Sequence, residues 1–110
     1  MSKSNAVREL EDSLGALQSS ISLDRRGKGE LNLIYPLVEE RLADATPGLV
    51  ALDMYERVRF AVSQSMAFVA KNRHDEAITL LGDVGRELMD KSGTTAKLRK
   101  LYQTPKKSTH

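Results

Sequence analysis

A chain of 110 residues with 40 % apolar side chains fits one domain with a modest core. It has no Cys, which excludes disulfides, thiolate catalysis and Cys-ligated zinc; with no Trp, three Tyr and two Phe, its core must be aliphatic, favouring packed helices over a β-sandwich. The net charge of +2 hides a split: residues 1–90 carry 11 Lys/Arg and all 15 Asp/Glu, while residues 91–110 carry six cations and no acid.

The first residues lack the apolar run of a signal peptide, and no stretch approaches the ~18 apolar residues of a membrane span, so a cytoplasmic protein is expected. The first periodic segment is Val7, Leu10, Leu14, Leu17 and Ile21, spaced as a heptad a/d stripe between polar neighbours. Ser4 or Asn5 is placed to cap this helix, and Glu9, Glu11 and Asp12 lie towards its positive end. So narrow a stripe suits a helix docked on its own domain, a partner helix or a second copy. If it meets a partner, Leu14→Glu removes association and leaves helicity mostly intact.

Asp24-Arg25-Arg26-Gly27-Lys28-Gly29 reads as a basic turn, without the spacing or preceding strand of a phosphate loop. Leu31, Ile34, Val38, Leu42 and Ala45 then share a helical face, with Pro36 predicting either a kink or a late start. Thr46-Pro47-Gly48 predicts a boundary, with Thr46 as N-cap and Pro47 at the first helical position. The next helix is expected to run to about Lys71 along Leu52, Tyr55, Val58, Val62, Met66 and Val69. Its stretch 60–70, polar only at Ser63, Gln64 and Ser65, is expected to be buried nearly all round as the central helix.

Asn72-Arg73-His74-Asp75 predicts a turn, with Asn72 left-handed and His74 exposed. Ala77, Ile78, Leu81, Val84, Leu88 and Met89 give the following helix its face, with Asp75-Glu76 at its start, Lys91 in its last turn and Gly93 just past its end. A short fifth helix is expected from Ala96 to about Gln103, stopped by Pro105. The domain is thus expected to span 1–103, with 104–110 a disordered basic tail.

Met66-Ala67-Phe68-Val69-Ala70-Lys71-Asn72-Arg73-His74-Asp75-Glu76-Ala77-Ile78 resembles the middle of a tetratricopeptide hairpin, over one repeat with no second copy. Leu31 to Tyr35 and on through Arg41-Leu42 resembles a helix of flagellin-type export chaperones, with Pro36 interrupting the match. The second resemblance implies a small all-helical bundle that sheathes a partner's terminus. Neither covers enough of the chain to assign a family.

Catalytic constellations are hard to assemble. His74 and His110 are the only histidines, no His-x₃-His spacing exists, and nothing places a nucleophile beside His74. The adjacent acids Glu11-Asp12, Glu39-Glu40 and Asp75-Glu76 point about 100° apart on a helix. No enzyme activity, metal or cofactor is therefore expected. The expected fold is all-α, an antiparallel bundle of four main helices plus a short C-terminal one. The expected function is a non-catalytic interaction module (adaptor, small chaperone or assembly subunit) binding a protein partner or a second copy through Val7, Leu10, Leu14, Leu17 and Ile21. The alternative is a nucleic-acid accessory protein using Arg25, Arg26, Lys28, Lys97, Arg99, Lys100, Lys106 and Lys107.

Overall fold

The heptad stripe lies on one face of α1 (Lys3–Asp24), and all five of its side chains are buried. The computed structural model describes the backbone of residues 3–25 and 30–108 and the side chains of residues 5–25 and 30–102. After α1 come α2 (Leu31–Ala51), α3 (Tyr55–Ala70), α4 (His74–Ser92) and α5 (Thr94–Ser108), with no strand among the described residues. The protein is all-α. The main packing pairs are α1 on α2, α1 on α4 and α3 on α4, while α2 touches α3 sparsely and α5 rests chiefly on α4.

That pattern makes α1 and α4 the inner helices and corrects the central role expected for α3. Phe60 is 61 % exposed and Met66 is also exposed, so α3 buries only the strip Val58, Ala61, Val62 and Ser65. Its outer side mixes Glu56, Arg57, Arg59 and Ser63 with Phe60 and Met66, and no described helix covers those two. Ser4 and Asn5 lie within α1 (Lys3–Asp24) rather than before it, so neither occupies an N-cap position.

Helix α2 corrects two further expectations. It starts at Leu31, where the Glu30 carbonyl accepts from the N–H groups of Leu33 (2.9 Å) and Ile34 (3.1 Å), and it runs through both Pro36 and Pro47. There is no late start and no boundary at Thr46. Instead of capping a new helix, the Thr46 hydroxyl donates to the Leu42 carbonyl at 3.0 Å. Continuity across Pro47 follows from burial: Val38, Leu42, Ala45 and Leu49 keep one apolar face inward through it. Both prolines are exposed, as are Asn32 and Ala43, whose carbonyls lose their usual partners, so both missing bonds fall on the exposed side of the helix.

The chain turns at Leu52–Met54. Asp53 is left-handed (φ 57°), its N–H donates to Val50 O at 3.1 Å, and the Met54 N–H reaches Leu49 O at 2.8 Å. This is a Schellman closure with its accompanying apolar contact, because Leu49 and Met54 are both fully buried. The α3–α4 turn repeats it. Asn72 is left-handed (φ 62°), as expected, its N–H donates to Val69 O, and the Arg73 N–H donates to Phe68 O at 2.8 Å. The Arg73 guanidinium lies 5.3 Å from the centre of the Phe68 ring, a cation–π contact in the same place.

The expected capping of α4 is present: Asp75 and Glu76 in the first turn, Lys91 in the last, and Gly93 left-handed (φ 88°) at the end. Its inner face is Ala77, Leu81, Val84 and Leu88, with His74 added at its start. Helix α5 continues past Pro105 to Ser108, beyond the end expected near Gln103, so the backbone of 104–108 is helical; 109–110 lie outside the described residues.

Two expectations follow. Leu14→Ala lowers the unfolding free energy by roughly 2–5 kcal/mol in urea titration, and Leu14→Glu loses helicity along with any association, because the side chain is enclosed by the protein's own core. Asp53→Gly raises stability by about 0.5–1 kcal/mol, as relief of the left-handed conformation exceeds the added entropy of the unfolded chain. An unchanged or lowered denaturation midpoint for Asp53→Gly contradicts that account of the turn.

Candidate interaction surface

The interior polar groups sort into contacts that hold the helices in register. At the start of α1, Glu11 is buried and both its oxygens are used: Ser92 Oγ donates to Oε2 at 2.6 Å and Thr94 Oγ1 to Oε1 at 2.8 Å. In the middle, Gln18 Nε2 donates to the Ile78 carbonyl at 3.0 Å. At the end of α1, His74 Nε2 meets Asp24 Oδ2 at 2.7 Å, and Arg25 pairs with Asp75. His74 is only 7 % exposed, which corrects the expectation of an exposed turn residue. Its aliphatic neighbours are visible in the sequence, but its partner is fifty positions away.

Between α2 and α3, Tyr35 Oη and Ser65 Oγ are hydrogen-bonded at 2.8 Å in a buried site, and Ser65 Oγ also donates to Val62 O at 2.7 Å. Burial raises the Tyr35 phenol above its ordinary value of 10.0. The Ser65 hydrogen bond opposes the rise, and the Asp24 carboxylate adds to it. Among the described residues every buried side-chain N or O atom has a partner, so these groups are committed to structure. No group of three or more described His, Asp or Glu side chains is placed to hold a metal ion. No helix is long and apolar enough among the described residues to cross a membrane.

The expected partner stripe is not on the surface. Val7, Leu10, Leu14, Leu17 and Ile21 all face the core, where their partner is the protein's own α2 and α4. The expected basic residues divide into two places. Arg25 is paired with Asp75 at the start of α4, whereas α5 begins beyond the other end of α4, and its 19 residues span about 28 Å. Arg25 and the start of α5 therefore lie at opposite ends of α4. Arg26 and Lys28 lie outside the described residues, as do the side chains of Lys106 and Lys107. Lys97, Arg99 and Lys100 are exposed on α5.

The exposed apolar groups are the feature missed from sequence. On α5, Thr94 is buried and Leu98 half-buried against the bundle, but Leu101 and Tyr102, on the same face, are 66 % and 72 % exposed. The apolar face of α5 thus begins under cover and continues in the open. On α2, Leu33 is 70 % exposed and Leu37 is also exposed, on the side opposite the buried face. A notch of about 500 Å³ lies between the C-terminal end of α2, the first turns of α1 and the start of α5, lined by Arg8, Pro47, Ala51, Leu52, Thr94 and Lys97.

No protein-family model matches the chain, and neither a curated protein nor a solved structure matches it.

The Tyr35 site yields a pH test. The neutral phenol is favoured in the folded state, so its contribution to stability is level below pH 10.0 and falls as the pH rises through the folded-state value. Tyr35→Phe is expected to cost about 1 kcal/mol at neutral pH through the lost hydrogen bond. It is also expected to show a shallower fall in stability above pH 10.0 than the parent. Parallel stability curves for the two proteins across that range contradict the assignment.

Proposed function

We propose that the protein is a non-catalytic helical interaction module that works in the cytoplasm as an adaptor, small chaperone or assembly subunit. The observation that carries this reading is the open half of α5, where Leu101 and Tyr102 are exposed in a segment rich in cations and free of acids. Large apolar side chains that continue a partly buried face into solvent suit a surface completed by another molecule. The commitment of the described buried polar groups to helix register supports a structural role for the interior.

The arrangement inferred for the helices is an antiparallel bundle. As the position along α1 rises from Glu11 to Gln18 to Asp24, its partner on α4 or at the α4–α5 junction falls from Thr94 and Ser92 to Ile78 to His74. Likewise Arg57, early in α3, pairs with Glu87, late in α4, and Tyr35, early in α2, meets Ser65, late in α3. Such a bundle presents α5 at one end and the outer side of α2 along its length.

The test uses the full chain as bait in a nuclease-treated extract of its native host, beside Leu101→Ser/Tyr102→Ser, which keeps every charge. The module reading expects a protein bound by the parent and lost by the double variant at unchanged helicity. Identical capture by both proteins, or capture that disappears with nuclease and falls steeply with salt, contradicts it and favours counterion-driven nucleic-acid binding.

A further inference from the structure

We infer that the open face of α5 docks on the outer face of α2 in a second copy of this chain, so that two copies exchange their α5 helices reciprocally. The inference rests on the reading of α5 as an interaction surface and names its occupant. Its basis is the pattern of charges that the fold leaves unmatched.

Most exposed acids of α3 and α4 already have an arginine. Glu56 pairs with Arg59, Glu76 with Arg73, Asp83 with Arg86, Asp75 with Arg25 and Glu87 with Arg57. The outer face of α2 differs. Glu39 and Asp44 are exposed and have no ion-pair partner among the described residues, and Glu40 has only its neighbour Arg41 at 4.0 Å. On α5, Lys97 and Arg99 are exposed and likewise have no acid among the described residues. Among its unpaired charges, which also include Asp90 and Lys91 at the end of α4, the molecule therefore carries an acidic strip on α2 and a basic strip on α5.

Each strip is joined to an exposed apolar pair. On α2, Leu33, Leu37, Glu40 and Asp44 are spaced 4, 3 and 4 apart, which puts them in one row on the helix. On α5, Leu98 and Tyr102 form one row, Lys97 and Leu101 another, and Lys97 and Arg99 flank the apolar face. When the two helices are laid antiparallel with Leu101 opposite Leu37, Tyr102 lies within one turn of Leu33, Arg99 comes level with Glu39, and Lys97 lies beside Glu40 and within one turn of Asp44. Laid parallel, the cations fall on the leucines. The sequence order therefore selects one orientation.

A second copy satisfies both strips at once, whereas an anionic lipid surface or a nucleic acid matches only α5 and leaves the acidic row of α2 unmatched. Reciprocal exchange closes the assembly as a two-fold dimer and doubles the buried area towards the roughly 1,200–2,000 Å² of a stable interface. The polar rim makes association dependent on salt, and the leucine–tyrosine contact supplies the part that salt leaves intact.

The experiment is a charge-swap pair measured by sedimentation and light scattering. The parent is expected to be a dimer at tens of micromolar. Lys97→Glu/Arg99→Glu is expected to be monomeric, and so is Glu40→Lys/Asp44→Lys, each with unchanged helicity. Mixing the two variants is expected to give a one-to-one complex at least tenfold tighter than either forms with itself. A monomeric parent at 100 µM overturns the inference, as does failure of the mixed pair to associate or binding of the parent to vesicles containing phosphatidylserine while it stays monomeric. If the parent is monomeric yet Leu101 and Tyr102 still govern capture from the host extract, the dimer fails and the module reading stands. If capture is also independent of them, both fail.

Discussion

Five aliphatic side chains on α1 hold together helices that otherwise touch little. Helices α3 and α4 pack on one another, but α2 and α3 meet sparsely, so α2 is joined to the rest chiefly through α1. Each fully buried Leu or Ile contributes roughly 1.5–3 kcal/mol, enough for this one face to dominate the attachment. Aliphatic contact is also indifferent to sliding along the helix axis. The polar side chains supply what it lacks. Glu11, Gln18 and Asp24 mark the start, middle and end of the α1–α4 seam, and a shift of one helical turn would leave a buried carboxylate, amide and imidazole without partners.

The sequence made the helices more legible than their packing. Periodicity placed the faces of α1 and α4 because their polar and apolar sides differ plainly. Asn72 and Gly93 were readable as left-handed positions because those residue types tolerate that conformation. Asp53 was not, since the same turn uses an aspartate and is closed by the burial of Met54. Pro47 misled for a related reason. A proline after a threonine is a strong start signal, but the buried run Leu42, Ala45 and Leu49 continues across it and outweighs the loss of one solvent-facing hydrogen bond. Helix α3 was expected to be enclosed because its composition is apolar, yet composition does not say whether another helix is available to cover Phe60 and Met66.

The residues that join distant helices were the least legible. Glu11 with Thr94, Tyr35 with Ser65 and Asp24 with His74 are separated by 83, 30 and 50 positions. None belongs to a local pattern, because each pairing depends on how the helices are brought together. The only sign in the sequence is a polar residue adjoining an apolar face, as Glu11 adjoins Leu10 and Leu14, and most such residues are simply solvated.

A heptad stripe states that a helix has a narrow apolar face, not whose surface covers it. In this protein the face of α1 is consumed inside the fold, and the charge asymmetry of the chain acquires a different meaning once the pairs are known. Arginines along α3 and α4 neutralise their own neighbours, which removes much of the acidic body from consideration as a partner for the tail. Unpaired charge also remains elsewhere, as at Asp90 and Lys91 on α4, but on α2 and α5 it adjoins exposed apolar side chains. Those charges cost little in water while they stay solvated, so the fold tolerates them without a partner. The apolar side chains are what give a partner a gain in free energy, and the charges decide which partner and which direction. Recognition on this molecule is therefore proposed to lie in the side chains that folding leaves unused.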